Sequence, residues 1–440
     1  MLYLITFGSA CVGSGDGWHT GTSMETAPST LFTAQQVVSR CRELALFSET
    51  PEGTTRTFLC DAMHDCHRFL RSWMEQAGMT VAVDGVGNLR GFYPGMIEDA
   101  PRFVIGSHLD TVPNAGAFDG VLGVAIAISL VESLQSRRLP FPLEVVGFSE
   151  EEGVRFGVPF IGSRGWSGWL AEDLLATEDK SGVAVAEAIR RFGIDVPSAT
   201  ATADEPKPPA GFLEFHIEQG PVLDTLGLPL GLVTAIAGQT RASVTFRGKA
   251  NHAGTTPMHM RQDALAGAAE WISAVERVAR SVEGLVATVG VVQSLPGAAN
   301  VIPGEARATL DVRHPSDAIR EANTEMLLKE AEGIALARNL TMEYSIKLNG
   351  RAVPMDRRLL ASTEKAFVSA GIEPYRMVSG AGHDAMTIAE HIPAAMIFLR
   401  SPGGISHHPD ETVRIEDVQC ALRVGAAFLE QLSTQEFRQG

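Results

Sequence analysis

Five short stretches of this chain carry side chains that hold metal ions or move protons: Gly106-Ser107-His108-Leu109-Asp110, Phe118-Asp119-Gly120, Glu150-Glu151-Glu152-Gly153, Phe215-His216-Ile217-Glu218-Gln219 and Ile405-Ser406-His407-His408-Pro409. Imidazole and carboxylate donors together suit Zn, Mn, Co or Fe(II), and the lack of cysteine among them argues against a structural zinc. The run Glu150–Glu152 is the oddest of these stretches. Adjacent acids repel one another, and a divalent cation is the simplest way to hold them together. With one acid as a ligand, its neighbour is free to act as general base toward water. Asp110 follows His108 by two positions, which on a strand puts both on one face and lets the carboxylate reach the ring N–H.

These stretches need a scaffold that gathers them. Gln35–Leu46 and Phe58–Gly78 have helical apolar spacing, the second closed by Gly78. Thr80–Tyr93 reads as a strand pair turning at Asp84–Gly85, Phe103–Gly106 as a strand, Val121–Gln135 as a helix, and Leu143–Phe148 as a strand ending in the acidic run. Strands alternating with helices predict an α/β fold, whose site gathers beyond the carboxyl ends of its strands. A second pattern starts near Val233: strand Arg241–Arg247, helix Asp263–Val282, strands Leu285–Gln293 and Ala306–Arg313, helix Asp317–Arg338, strand Thr341–Leu348. That β-α-β-β-α-β order is the ferredoxin-like split motif. The α/β pattern resumes at Pro354.

The expected organisation is therefore a catalytic domain in two parts, 30–232 and 350–440, interrupted by an inserted α+β domain, 233–349, with hinges near Val233 and Asn349. Residues 1–29 read as a disordered extension, with Met24 an alternative start. Leu2–Val12 is mildly apolar but lacks the basic region of a secretory signal. Pro197–Pro209 is the Pro- and Ala-rich stretch that looks like a linker. His64-Asp65-Cys66-His67 sits mid-helix and reads as helix surface and core edge, and His259, His314 and His391 as structural histidines.

At 440 residues, two or three domains are expected. Lys+Arg 36 against Asp+Glu 52 gives a net charge of −16, which repels phosphate backbones and anionic membranes. Neither nucleic acid nor a membrane is an expected partner, and no apolar run approaches the ~20 residues of a membrane span. Five cysteines, odd in number and without framework spacing, are expected as reduced cytoplasmic thiols.

From about Leu44 to Leu432 the chain resembles the dinuclear-metal amidohydrolases that hydrolyse ureido groups: allantoate amidohydrolases, N-carbamoyl-L-amino-acid hydrolases and β-ureidopropionases, of the metallo-carboxypeptidase/aminoacylase clan. The motifs are GSHLDTVPNAGAFDG, SEEEGVRF, EFHIEQGPVL, IAGQTR, NHAGTTPM, ANVIPG, DVRH, SGAGHDAM and GGISHHPDE. EGTTRTFL, GLVTAIAGQTR and GAGHDAM place it nearest the allantoate branch.

The resemblance implies a metallopeptidase-like catalytic domain with a mixed sheet, and an inserted lid and dimerisation domain. It implies that His108 and His216 ligate one metal, that Glu152 and His407 ligate the other, and that Asp119 bridges both. Glu151 is the implied general base. His252 would reach the partner subunit's site in a homodimer and steady the oxyanion. Asn300 and Arg313 would hold the substrate carboxylate, with Arg241, Gln219 and His383 as further polar contacts. The implied cofactors are two divalent ions per subunit, Mn(II) favoured over Zn(II) or Co(II), and the implied substrate is a small anionic ureido acid, allantoate first. The family usually has Ser or Asn where this chain has His408; His407 follows the Ile-Ser pair and is taken as the ligand. A dipeptidase of the same clan would carry an acid in place of His216, and a catalytically dead relative would have lost ligands or base, all of which are present here.

Overall fold

The computed structural model describes residues 30–97, 99–196 and 207–435. The expectations for 1–29 and for 197–206 lie outside the described residues.

The strands that alternate with helices early in the chain are β1 (Thr80–Val83), β2 (Leu89–Tyr93), β3 (Phe103–His108), β4 (Leu143–Phe148), β5 (Gly211–Ile217) and β6 (Leu230–Ile236). Every residue of β3, β4 and β5 is buried. Such runs are apolar on both faces because helices cover both sides of the sheet. One covering helix, Val121–Ser133, is itself buried from Val121 to Val131. It packs on β3 and β5.

After Ala237 the pattern changes to strict alternation, as a sheet with one covered face requires. Here lie β7 (Gly238–Arg247), β8 (Asn251–His252), β9 (Val286–Thr288), β10 (Val292–Leu295), β11 (Val301–Ile302), β12 (Glu305–His314) and β13 (Thr341–Gly350). Last come β14 (Val353–Pro354), β15 (Arg376–Ser379) and β16 (Ala394–Leu399).

The first sheet has nine strands in the order β1-β2-β4-β3-β5-β16-β6-β14, with β15 beside β6. It is mixed: β3 runs parallel to β4 and β5, β5 to β16 and β15 to β6, while β2 pairs antiparallel with β4, and β6 with β16 and β14. The second sheet is antiparallel, in the order β10-β12-β7-β13 with β9 also on β12. Helices Ala264–Ser281 and Asp317–Ala337 cover one face and enclose a core around Phe246, Trp271, Leu310 and Leu327. The element order and the strand order are those of the split motif expected from the sequence.

Two details differ from that expectation. Val233 lies inside β6 and is fully buried in the first sheet, so the chain leaves that sheet at Ala237. β6 and β7 abut without a turn signal, and only the switch from a continuous to an alternating pattern separates them. The single strand expected over Leu285–Gln293 is two: between the pairs Thr288↔Asp311 and Val292↔Ala308 this side carries an extra residue, a bulge at the exposed Gly290. The His64–His67 stretch is helix as expected, with His64 stacked on Phe192 at 3.8 Å between ring centroids and His67 buried.

Among the described residues no helix is long and apolar enough to cross a membrane.

Candidate functional site

β4, β3, β5 and β16 are adjacent and parallel, so their carboxyl ends open on one edge of the sheet. His108 ends β3, Glu150–Glu152 follow β4, His216 lies at the end of β5, and the loop carrying His407 follows β16. Asp119 enters from the turn that starts the buried helix Val121–Ser133. The topology thus delivers all five stretches to one place.

Among the described residues four triads of donor atoms lie within 4.8 Å of one another; besides Glu214 with His216 and His383, and His108 with Glu151 and Glu152, two of them share Asp119: His108, Asp119 and His216, and Asp119, Glu152 and His407. Asp119 belongs to both. Its Oδ1 is 3.3 Å from His216 Nε2 and its Oδ2 is 3.2 Å from His407 Nε2. His407 Nε2 is also 3.5 Å from Glu152 Oε1. His408 turns away, facing Asp410 at 3.6 Å. Glu151 gathers with His108 and Glu152 at the rim of the first triad.

The orientation of the two imidazoles fits this donor set to a cation. His108 Nδ1 donates to the main-chain carbonyl of Asp110 at 2.9 Å, and His216 Nδ1 donates to that of Ile217 at 2.9 Å. Both Nε2 atoms are thereby turned into the site, 3.3 Å apart. Two imidazole nitrogens converging on one point beside a carboxylate call for a positive charge there, which a divalent cation, or a proton in its absence, supplies.

The carboxylates tell the same story. Burial, and then the charge of Asp119, push Glu152 up to about 7. Burial and then the charge of Glu152 hold Glu151 well above the usual carboxylate range, against the pull of His108. Asp119 is the exception: burial would raise it, but the hydrogen bond with His407 and the charges of His216 and His108 hold it below its usual range. Burial drives His216 down to about 4, which keeps its ring neutral and able to coordinate.

Asp110 differs in detail from expectation. Its main-chain oxygen takes the His108 ring proton, and its carboxylate stands 3.4 Å from that nitrogen. The carboxylate instead accepts the amides of Glu151 at 2.9 Å and Glu152 at 3.1 Å. β3 ends at His108, so Asp110 has already left the strand and turns toward the acidic loop, which it fixes.

The other expected residues fall into separate groups. Gln219 joins the cluster, its Nε2 donating to both Asp119 oxygens at 3.1 and 3.2 Å. His383 is buried against His216, ring centroids 4.4 Å apart, with Nε2 2.9 Å from Ser379 Oγ, so it backs the His216 ring. Arg241 and Arg313 point from the open face of the second sheet into a cavity of about 820 Å³ that reaches Gly380. Both guanidinium groups are held by Asp311, which sequence reasoning missed: Arg313 by two bonds of 2.9 and 3.1 Å, Arg241 by one of 3.1 Å. The signal was there, since Asp311 is two residues from Arg313 on one strand face and directly opposite Arg241 in the ladder. His252 and Asn300 stay together at the β8–β11 ladder; His252 Nδ1 accepts the amides of Gly254 and Thr255 at 3.0 and 3.2 Å, and the Asn300 carbonyl accepts the amide of Ala253.

Gly120 shows how tightly the cluster is packed. It has φ 67°, and a Cβ there would lie 2.5 Å from the His108 ring. Gly120→Ala is expected to fold, since the sheet core is untouched, but to displace His108 and lose bound metal. Metal content by mass spectrometry beside the circular dichroism spectrum tests this; full metal content in the variant would refute it.

A protein-family model described as peptidase family M20/M25/M40 matches residues 104–431. Allantoate deiminase 1 of Glycine max is 38% identical, with 98% of this chain and 97% of that one aligned. An N-carbamoyl-L-amino acid amidohydrolase of Geobacillus stearothermophilus is 36% identical over 91% of this chain and 97% of its own length. Among solved structures, an amidase of the hydantoinase/carbamoylase family from Burkholderia multivorans superposes with a TM-score of 0.85 at 33% identity, covering 90% of this chain and 97% of that one.

Proposed function

The chain belongs to peptidase family M20/M25/M40, in the group that holds allantoate deiminases and N-carbamoyl-L-amino-acid amidohydrolases, and from that premise we propose that it hydrolyses a C–N bond in a ureido acid. The substrate proposed is allantoate, giving ureidoglycine, ammonia and carbon dioxide, which places the enzyme in purine nitrogen recovery. What carries this function is the sharing of Asp119 between two donor triads with Glu151 at their rim.

His108 and His216 would hold one divalent cation, Glu152 and His407 a second, and Asp119 both. The imidazole and carboxylate set suits Mn(II), with Zn(II) or Co(II) as alternatives. Cations so placed would polarise the ureido carbonyl and lower the pKa of a water. Glu151 takes the proton from the attacking water on a carboxylate oxygen and passes it to the leaving nitrogen. Asp110, by fixing both the Glu151 and Glu152 amides, keeps base and ligand in register.

The substrate is an anion, and Arg241 and Arg313 supply local positive charge on a chain whose net charge is −16. Arg313 already grips Asp311 through Nε and Nη2, so a substrate carboxylate would meet its Nη1 edge or take the place of Asp311. Closing on substrate requires Arg313 to give up its bond to the Gly380 carbonyl at 2.5 Å, which makes that contact a natural latch between the two sheets. Gln219, at the Asp119 cluster, and Asn300, beside the β8–β11 ladder, are proposed as further polar contacts to substrate. A cytoplasmic location is proposed from the cysteine pattern, odd in number and without framework spacing.

A homodimer is proposed on the edge strand β13, which leaves Tyr344, Ile346 and Leu348 exposed beside an unpaired backbone edge. Sedimentation equilibrium is expected to give a dimer, with activity lost on dilution to monomer. A fully active monomer would overturn the assignment of His252 to a neighbour's site.

The substrate is tested by turnover of the Mn-loaded enzyme, setting ammonia release from allantoate beside amino-acid release from a panel of N-carbamoyl-L-amino acids. Faster allantoate turnover is expected. Preference for a carbamoyl amino acid would keep the assignments of ligands and base and discard the substrate.

A further inference from the structure

We propose that Glu411 is the positioning residue that assembles the His407 half of the metal site, an inference that rests on the two-cation site proposed above. The two halves are not held alike. His108 and His216 sit on β3 and β5, neighbouring parallel strands paired in register in the middle of the large sheet, and both side chains are buried. Their separation is set by the sheet itself. His407 has no such support. It lies in the loop between the turn Pro402–Gly404 and the helix that starts at Ile415, adopts a left-handed φ of 56°, and leaves 46% of its side chain exposed. A non-glycine residue in that conformation persists where the surroundings impose it.

Glu411 is what the surroundings offer. It is 4% exposed, although it is a charged residue in a loop. Its Oε1 accepts two amides, those of Phe118 and of Asp119, each at 3.0 Å. Its own amide donates to the carbonyl of His408 at 3.0 Å, which folds the loop back beside His407. The carboxylate therefore ties the backbone of the shared ligand Asp119 to the loop of the ligand His407. Gly116 confirms the closeness of the two loops, since a Cβ there would fall 2.4 Å from Glu411 Cβ. One side-chain oxygen accepting two backbone amides fixes both loops at once, and partners that orient metal ligands typically contribute about 10–100-fold in metal affinity.

Removing the clasp should then act on one half of the site. The test titrates metal-stripped protein with Mn2+ alone and counts bound ions by the loss of the free-ion paramagnetic resonance signal. Wild type is expected to bind two ions per chain. Glu411→Ala should keep one ion at near wild-type affinity, in the His108–His216 half, and bind the second on the order of 10–100-fold more weakly. Glu411→Gln, whose carbonyl oxygen can accept the same two amides, should stay close to wild type. Thermal unfolding without metal checks that each variant folds, and Glu411→Asp, too short to reach both amides, replaces the alanine variant if that one does not fold. Two wild-type-like ions in Glu411→Ala, or equal losses in Glu411→Gln and Glu411→Ala, would overturn the proposal. A wild-type curve with fewer than two ions would instead overturn the two-cation site, and the wild-type curve alone tells the two failures apart.

Discussion

Glu151→Gln is expected to leave both metal content and KM close to wild type while kcat falls on the order of 100- to 10,000-fold, the usual share of a positioned general base. The amide matches the carboxylate in size, so the amide-to-Asp110 bond and the packing of the acidic loop survive. What is lost is the ability to accept a proton. Burial, then the charge of Glu152, hold the Glu151 carboxyl above the usual carboxylate range, so it has the proton affinity a base for water needs. Bound cations would pull that affinity down toward neutrality. The neighbouring substitution gives the opposite pattern. Glu152 pairs with His407 and Asp119 in a donor triad, so Glu152→Gln should lose metal, and activity with it. The pair is measured as kcat, KM and metal per chain on the same preparations. Because Glu151 also lies in a donor triad with His108, metal loss in Glu151→Gln would make it a ligand, and turnover within about tenfold of wild type would remove it as the base.

Much of this site could be read in the linear chain, for a definite reason. The side chains that act here are rare types at strand ends, and buried parallel strands announce themselves as continuous apolar runs; Leu143–Phe148 ends in the acidic cluster as read. What escaped acts through the backbone or through three-dimensional neighbours. Glu411 takes its meaning from two amides nearly three hundred positions earlier, and no local spacing encodes that. Asp311 could have been paired with Arg313 by strand alternation, but its partner Arg241 needed the β7–β12 register. His383 was expected as a polar contact to substrate, yet its ring is buried against that of His216. The β6–β7 junction was misplaced to Val233 since two strands that follow one another without a turn show no punctuation, only a change of period.

His252→Ala is expected to reduce kcat about 100- to 1,000-fold, as loss of a single oxyanion donor does, without changing metal content. The larger effect comes from mixing. His252 is exposed and its hydrogen bonds are to the amides of its own turn, which leaves the Nε2 side of the ring to meet a partner. If that partner is the site of the other subunit, His252→Ala and Glu151→Gln impair different halves of one composite site. In a hybrid dimer the His252→Ala chain keeps an intact base and receives an intact His252 from its neighbour, so one of its sites is whole and the other doubly impaired. Random exchange makes about half the dimers hybrid, and the mixture should recover about a quarter of wild-type activity from two nearly inactive parents. Recovery should follow the rate of subunit exchange, and cross-linking the parent dimers before mixing should prevent it. If His252 serves the site of its own chain, every site in the mixture keeps a defect, and activity stays at the parental level however long the subunits exchange.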